Sequence, residues 1–314
     1  MSKLNQIKPI LATLVYYDIL NRPLTSVEIF KYLAAGANQK RFFSLLAELE
    51  EEVKNNFFCQ KTGLFFLKNR ENLIQEREKR LKISQQKWSW LLKSAKILTL
   101  APFIRLIAVT GSMSADNPQK NSDWDLLIVV KKNHLWTSRL AITFLCELLR
   151  KRRHKQLTNN RFCLNCYLTD QEMTITPIMK KHDFHAAQEY GRLVPVLEIE
   201  KGIYEKFIQA NKDWLNQFLE TFPWPYQFGS KTIKPQKILN IIRQLIELLL
   251  SGAFGQWLEK KLKKWQIKRI LAKKRDDSRD QLFISDSCLM FHPQSKSFGI
   301  LKIFNQNLAK FEKI

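Results

Sequence analysis

Val109 to Val130 reads V-T-G-S-M-S-A-D-N-P-Q-K-N-S-D-W-D-L-L-I-V-V, and the fold turns on this stretch. An apolar run at 104–109 reads as a strand and leads into Gly111 and Ser112. A polar loop follows, and Asp123 and Asp125 then open a second apolar strand that ends at Val130. Side chains two apart on a strand point to the same side. The two carboxylates therefore share a face, with Cα atoms roughly 6.6–6.8 Å apart at about 3.3–3.4 Å rise per residue. Two adjacent anions repel each other unless a cation is shared between them. Oxygen-only ligands suit Mg²⁺ (or Mn²⁺), which completes its shell with water and substrate phosphates. Gly111 has no Cβ, so a phosphate can approach the backbone there, and Ser112 adds a hydroxyl donor. Together these parts predict a site for a metal and a nucleoside triphosphate.

The order strand, Gly-Ser, loop, Asp-x-Asp, strand resembles the nucleotidyltransferase superfamily of DNA polymerase β, matched here at Gly111, Ser112, Asp123 and Asp125. The resemblance implies that Gly111 and Ser112 hold the nucleotide phosphates. It implies that Asp123 and Asp125 are catalytic and bind two divalent metals. A nucleoside monophosphate would pass from the triphosphate to a hydroxyl acceptor, with pyrophosphate leaving. In the family a third carboxylate on a later strand helps to activate the acceptor. The strand-like run here, residues 161–168, departs from that pattern. If Cys163, Asn165 and Tyr167 form the face towards the site, Asn165 stands where the acid is expected, and an amide cannot accept a proton. Asp170 and Glu172 lie just past the end of the run. Three readings stay open: an enzyme using two carboxylates, an enzyme recruiting Asp170, or a nucleotide-sensing regulator of DNA or protein with little chemistry of its own.

Outward from this core the chain divides into residues 1–70, a connecting helix at 71–102, the core at 103–180 and a helical, basic region at 181–314. Helical patterns at 7–20, about 26–33 and 38–55 are followed by two short strand signals around Lys61-Thr62-Gly63. Thr25 and Glu28 form a capping-box pattern at the second helix. Three helices and a hairpin resemble a winged helix-turn-helix, in which the third helix enters the DNA major groove. Asn38, Gln39, Lys40 and Arg41 would lead that helix, while Glu48, Glu50, Glu51 and Glu52 would repel phosphates from its far end. The expected fold class is therefore mixed α+β: a winged-helix-like start, a small mixed sheet flanked by helices, and a basic helical end. Residues 183–198 and 202–222 read as helices, the second with Tyr204, Phe207, Trp214 and Phe218 at core spacing. Residues 282–284 and 288–292 read as short strands, and 300–314 as a closing helix.

The formal net charge is +23, from 52 Lys and Arg against 29 acids in 314 residues. Such a field favours phosphate-rich partners: nucleotides, nucleic acid such as an RNA acceptor, or an anionic membrane surface. The charge is concentrated, because residues 231–275 hold 13 basic residues against Glu247 and Glu259. Within that segment, residues 238–258 are the most apolar part of the chain. Arg243, Gln244, Glu247, Gly252 and Gly255 argue against a simple membrane span. A helical pair completing the domain core is the favoured reading, ahead of a surface helix on anionic lipid.

Five cysteines without framework spacing predict reduced thiols and a cytoplasmic setting, and the polar N-terminus shows no signal-peptide core. Cys163 and Cys166 should face opposite ways on a strand and so make no metal pair. His182 and His185 lack a third ligand of matching spacing.

Overall fold

The structure is a computed structural model that describes residues 3–36, 42–54, 58–154, 157–175, 183–223, 231–272, 281–292 and 297–311. Among them are eleven helices and two sheets, a mixed α+β arrangement.

The N-terminal part comprises α1 (Lys3–Ile19), α2 (Ser26–Lys31), α3 (Phe42–Lys54) and an antiparallel pair, β1 (Cys59–Lys61) with β2 (Leu64–Phe66). The α2 start is a complete capping box: Glu28 N donates to Thr25 Oγ1, and Thr25 N donates to the Glu28 carboxylate. Thr62 and Gly63 both take positive φ in the tight β1–β2 turn. Asn38 to Arg41, the expected base-contacting lead of the third helix, lie outside the described residues. The core of this part holds Leu14, Val15, Leu24, Leu45 and Leu49, and it also takes Phe304 from α11 (Ser297–Phe311) at the far end of the sequence.

The long α4 (Asn72–Ala95) and a 3-10 turn (Lys96–Leu100) lead to the main sheet. Its remaining elements are β3 (Ile104–Val109), α5 (Gly111–Ser114), β4 (Trp124–Val130), α6 (Leu135–Leu148), β5 (Phe162–Thr169), α7 (Phe184–Tyr190), β6 (Val194–Glu198), α8 (Ile203–Leu215), α9 (Lys237–Leu250), α10 (Ala253–Leu271), β7 (Gln281–Ile284) and β8 (Cys288–His292). The strand order is β6-β3-β4-β5-β8-β7, so the sheet draws strands from beyond residue 180. Only β4 and β5 run parallel, joined by the α6 crossover. The sheet is covered on both faces. Trp124, Leu126 and Ile128 meet α4 and α6 on one face, while Leu127 and Val129 meet α7 and α8 on the other.

Two expectations are corrected here. Residues 183–198 are not one helix, because α7 ends at Tyr190 and Val194–Glu198 is a strand. Pro195 is tolerated because β6 is the edge of the sheet, where a missing N–H breaks no ladder. The second correction concerns β5. A register shift lies between the pairs Asp125 with Cys163 and Leu127 with Cys166. The extra residue breaks the alternation there. Cys163, Asn165 and Cys166 all fall on the Asp125 side, while Tyr167 turns into the core on the α6 side. Tyr167 therefore does not face the site, and the two cysteines do not face opposite ways.

Candidate functional site

The Gly-Ser pair sits at the N-terminus of α5, immediately after β3. Gly111 has φ +65, and a Cβ placed on it would lie 2.8 Å from Asp125 Oδ2. A side chain is thus disfavoured twice, by backbone conformation and by the carboxylate behind it. The turn is closed by Thr110 N donating to Asp125 O at 3.0 Å and Asn117 N donating to Ser112 O at 2.9 Å. Gly111 and Asp125, fourteen positions apart in sequence, are direct neighbours.

Asp123 and Asp125 lie on the same side of β4, as their spacing predicts. With Cys163 they form a cluster whose candidate ligand atoms all lie within 4.8 Å of one another. Each carboxylate has a protein partner. Asp123 Oδ2 is ion-paired with Arg153 Nη1 at 2.6 Å, and Asp125 Oδ1 accepts from Asn165 Nδ2 at 3.1 Å. The Asp123 contact is an ion pair without hydrogen-bond alignment. Burial pushes the Asp125 carboxyl up to about 7, and Asp123 and then Glu189 push the same way, against Cys163 and Arg153. Burial, then Asp125 and Asp123, hold the Cys163 thiol well above its ordinary value, so it stays protonated.

The donor set suits a hard divalent cation. It offers two carboxylates and Asn165 Oδ1, a buried oxygen without a hydrogen-bond partner. A protonated thiol is a poor ligand for Mg²⁺ or Mn²⁺ and does not turn the cluster into a zinc site. The expected third acid is absent from β5, where Asn165 occupies its place beside Asp125. Asp170 is not a substitute. It lies past the far end of β5, where Asp170 N donates to Val130 O and Lys132 N donates to its Oδ1 at 2.9 Å. Asp125 pairs near the start of β4 and Val130 at its end, so Asp170 is held at the opposite edge of the strand. The reading in which the site recruits Asp170 is therefore set aside.

Sequence reasoning missed three contributors. Glu189 on α7 bears electrostatically on Asp125 and lies 3.6 Å from His185 through its own carboxylate. No spacing rule ties residue 189 to residue 125. Arg153, in the segment between α6 and β5, neutralises Asp123. Lys87 on α4 is 2% exposed and donates to Ser122 O, Asn159 Oδ1 and Asn160 Oδ1 at 2.9–3.0 Å. It thereby clamps the loop that delivers Asp123. Burial lowers the Lys87 ammonium to about 8, with Asp123 opposing. Asp116 in the same loop is held by Ser84, Trp88 and Lys231.

His185 is structural, its Nδ1 sharing a 2.7 Å hydrogen bond with Tyr16 OH, and His182 lies outside the described residues. A cleft of about 400 Å³ lined by Trp90, Lys93, Ser94, Lys151 and Asn160 includes neither carboxylate. No family model, curated protein or solved structure matches this chain.

Proposed function

We propose that the chain is a metal-dependent nucleotidyltransferase that moves a nucleoside monophosphate from a nucleoside triphosphate to a hydroxyl acceptor. The observation that carries this reading is the contact of Gly111 with Asp125. It lays a buried glycine turn directly against Asp125, whose carboxylate lies within 4.8 Å of that of Asp123. The β3–α5–β4–α6–β5 succession supports a nucleotidyltransferase core, and the three helices with a hairpin support a winged-helix-like start.

Each residue then has a physical task. The Gly111–Ser112 turn would receive the phosphates, with Ser112 offering its hydroxyl, while the space of the absent Gly111 Cβ is taken by the Asp125 carboxylate. Asp123 and Asp125, with Asn165 Oδ1, would hold Mg²⁺ or Mn²⁺. Arg153, more than a third exposed, would release Asp123 as the cation arrives. When bound, the cation supplies charge neutralisation and polarises the phosphoryl oxygens. Lys87 fixes the loop so that Asp123 is positioned before substrate binds, and pre-positioning carries much of the rate in such transfers. Glu189 on α7 adds to the negative field at Asp125.

A second reading, the nucleotide-sensing regulator without transfer, is favoured by a separate observation. Arg153 pairs with Asp123 and Asn165 donates to Asp125, so each carboxylate already has a partner within the protein. One experiment separates the two. Triphosphates labelled at the α-phosphate are incubated with Mg²⁺ or Mn²⁺ and a cell extract, which is then split into RNA, protein and small-molecule fractions. Transfer that Asp123→Asn and Asp125→Asn abolish supports the enzyme, and the labelled fraction gives the acceptor class. Retained nucleotide binding without any transfer supports the regulator.

A further inference from the structure

An amphipathic helix on a protein surface normally turns its apolar stripe inward. The helix α9 does the reverse. Ile238, Ile241, Ile242, Leu245, Leu248 and Leu249 recur at helical spacing along one face, and all are exposed, Leu248 and Leu249 by 73% and 75%. Arg243, only 5% exposed, lies on the inward face, where Glu247 accepts from Phe103 N at 2.6 Å. The next helix also carries inward polar groups, beside Leu262, Ile267 and Ile270 packed against the core. In α10, Glu259 accepts from Trp136 N and Thr137 N at 2.8 Å each, capping α6. Gln266, 3% exposed, donates to Trp136 O at 2.8 Å. These inward polar anchors fix which way the pair faces, so the outward apolar stripe follows from specific bonds.

The outward side of α10 is basic and aromatic. Phe254 and Trp257 stack at 5.9 Å, and Lys261 and Arg269 lie over the rings of Trp257 and Trp265. Lys260, Lys264 and Lys268 are exposed on the same helix and have no ion pair among the described residues. The two helices meet at 90°. The corner needs Gly255, whose Cβ would fall 1.7 Å from Leu250 O. No single described helix is long and apolar enough to cross a membrane.

We infer that the α9–α10 elbow is a membrane-docking surface for an anionic lipid bilayer, lying in the interface rather than across it. An exposed aliphatic stripe supplies insertion, tryptophans match the interfacial layer, and the lysines meet lipid phosphates. Charge complementarity selects this occupant over a second copy of the chain, whose own elbow would bring the same lysines together.

The test is co-sedimentation of the full chain with vesicles of phosphatidylcholine alone or mixed with phosphatidylglycerol. Binding should favour the anionic vesicles and fall with salt. The double variants Leu245→Ser with Leu248→Ser, and Lys260→Glu with Lys264→Glu, should each cut it by about tenfold. Both alter exposed side chains, so their melting curves should match the parent's. Lipid should shift tryptophan emission to the blue, and Trp257→Phe with Trp265→Phe should remove that shift. Equal binding to neutral vesicles, or binding unchanged in both double variants, overturns the assignment. So does a concentration-dependent dimer that Leu245→Ser with Leu248→Ser abolishes while no vesicle binding is found.

Discussion

Gly111 and Asp125 are in contact: a Cβ on Gly111 would lie only 2.8 Å from Asp125 Oδ2. The relationship couples the backbone turn proposed to receive phosphates to the carboxylate proposed to hold the cation. A change at one must be felt at the other.

Gly111→Ala tests that coupling. Alanine at φ +65 is strained by roughly 1 kcal/mol, and its methyl must push the Asp125 carboxylate aside. The protein should fold with a slightly lowered melting temperature. Transfer should fall by about a hundredfold, the scale of a misplacement near 1 Å. Transfer at the parental rate would show that the turn does not set the carboxylate.

Asp125 predicts a pH dependence with a definite sign. Its folded-state carboxyl titrates at about 7, raised by burial and then by Asp123 and Glu189, against about 4 for an exposed aspartate. Between those values the folded chain keeps a proton that the unfolded chain has released. In chelator, stability should therefore fall as pH rises from about 4 to about 7. Asp125→Asn removes that loss, so its melting temperature should gain on the parent's between about pH 4 and about pH 7. Added Mn²⁺ should raise the parent's melting temperature and leave the variant's unchanged. A margin independent of pH would contradict the environment described for Asp125.

Asn165→Asp restores an acid beside Asp125. A third oxygen anion should strengthen Mn²⁺ binding by about tenfold, the scale on which a close partner tunes a metal site. In chelator it should lower stability, because like charges then face each other. Mn²⁺ titration with and without nucleotide reads the first effect, and thermal unfolding reads the second. Affinity unchanged from the parent would place Asn165 outside the metal's reach.

Asp170→Asn is the control. It weakens the hydrogen bond from Lys132 N and a 3.8 Å ion pair with Arg105, costing about 1 kcal/mol. Mn²⁺ binding and transfer should be untouched. A loss of either would return Asp170 to the site.

The carboxylate pair and the Gly-Ser turn were legible in sequence because each rests on local geometry: alternation along a strand for Asp123 and Asp125, the missing Cβ for Gly111. The capping box of Thr25 and Glu28 was legible for the same reason. Glu189, Arg153 and Lys87 were not, because each reaches the site from a separate element and no spacing connects them. Asn165 was placed correctly on the Asp125 face, but its neighbour Tyr167 was not. A bulge inserts one residue at no visible cost in the sequence, yet reverses every side chain after it.

By itself the sequence determined the periods: which residues share a strand face, which share a helix stripe, where a turn must be glycine. The tertiary structure decided which side of each element faces inward. Period follows from backbone geometry within a few residues, whereas facing depends on partners supplied from elsewhere in the chain. Val194–Glu198 became a strand because the edge of β3 offered it a ladder. Phe304 joined the N-terminal core from the other end of the chain. In α9 and α10 the inward groups Arg243, Glu247, Glu259 and Gln266 include those that meet backbone groups at Phe103, Trp136 and Thr137, and so the apolar stripe of α9 was turned outward.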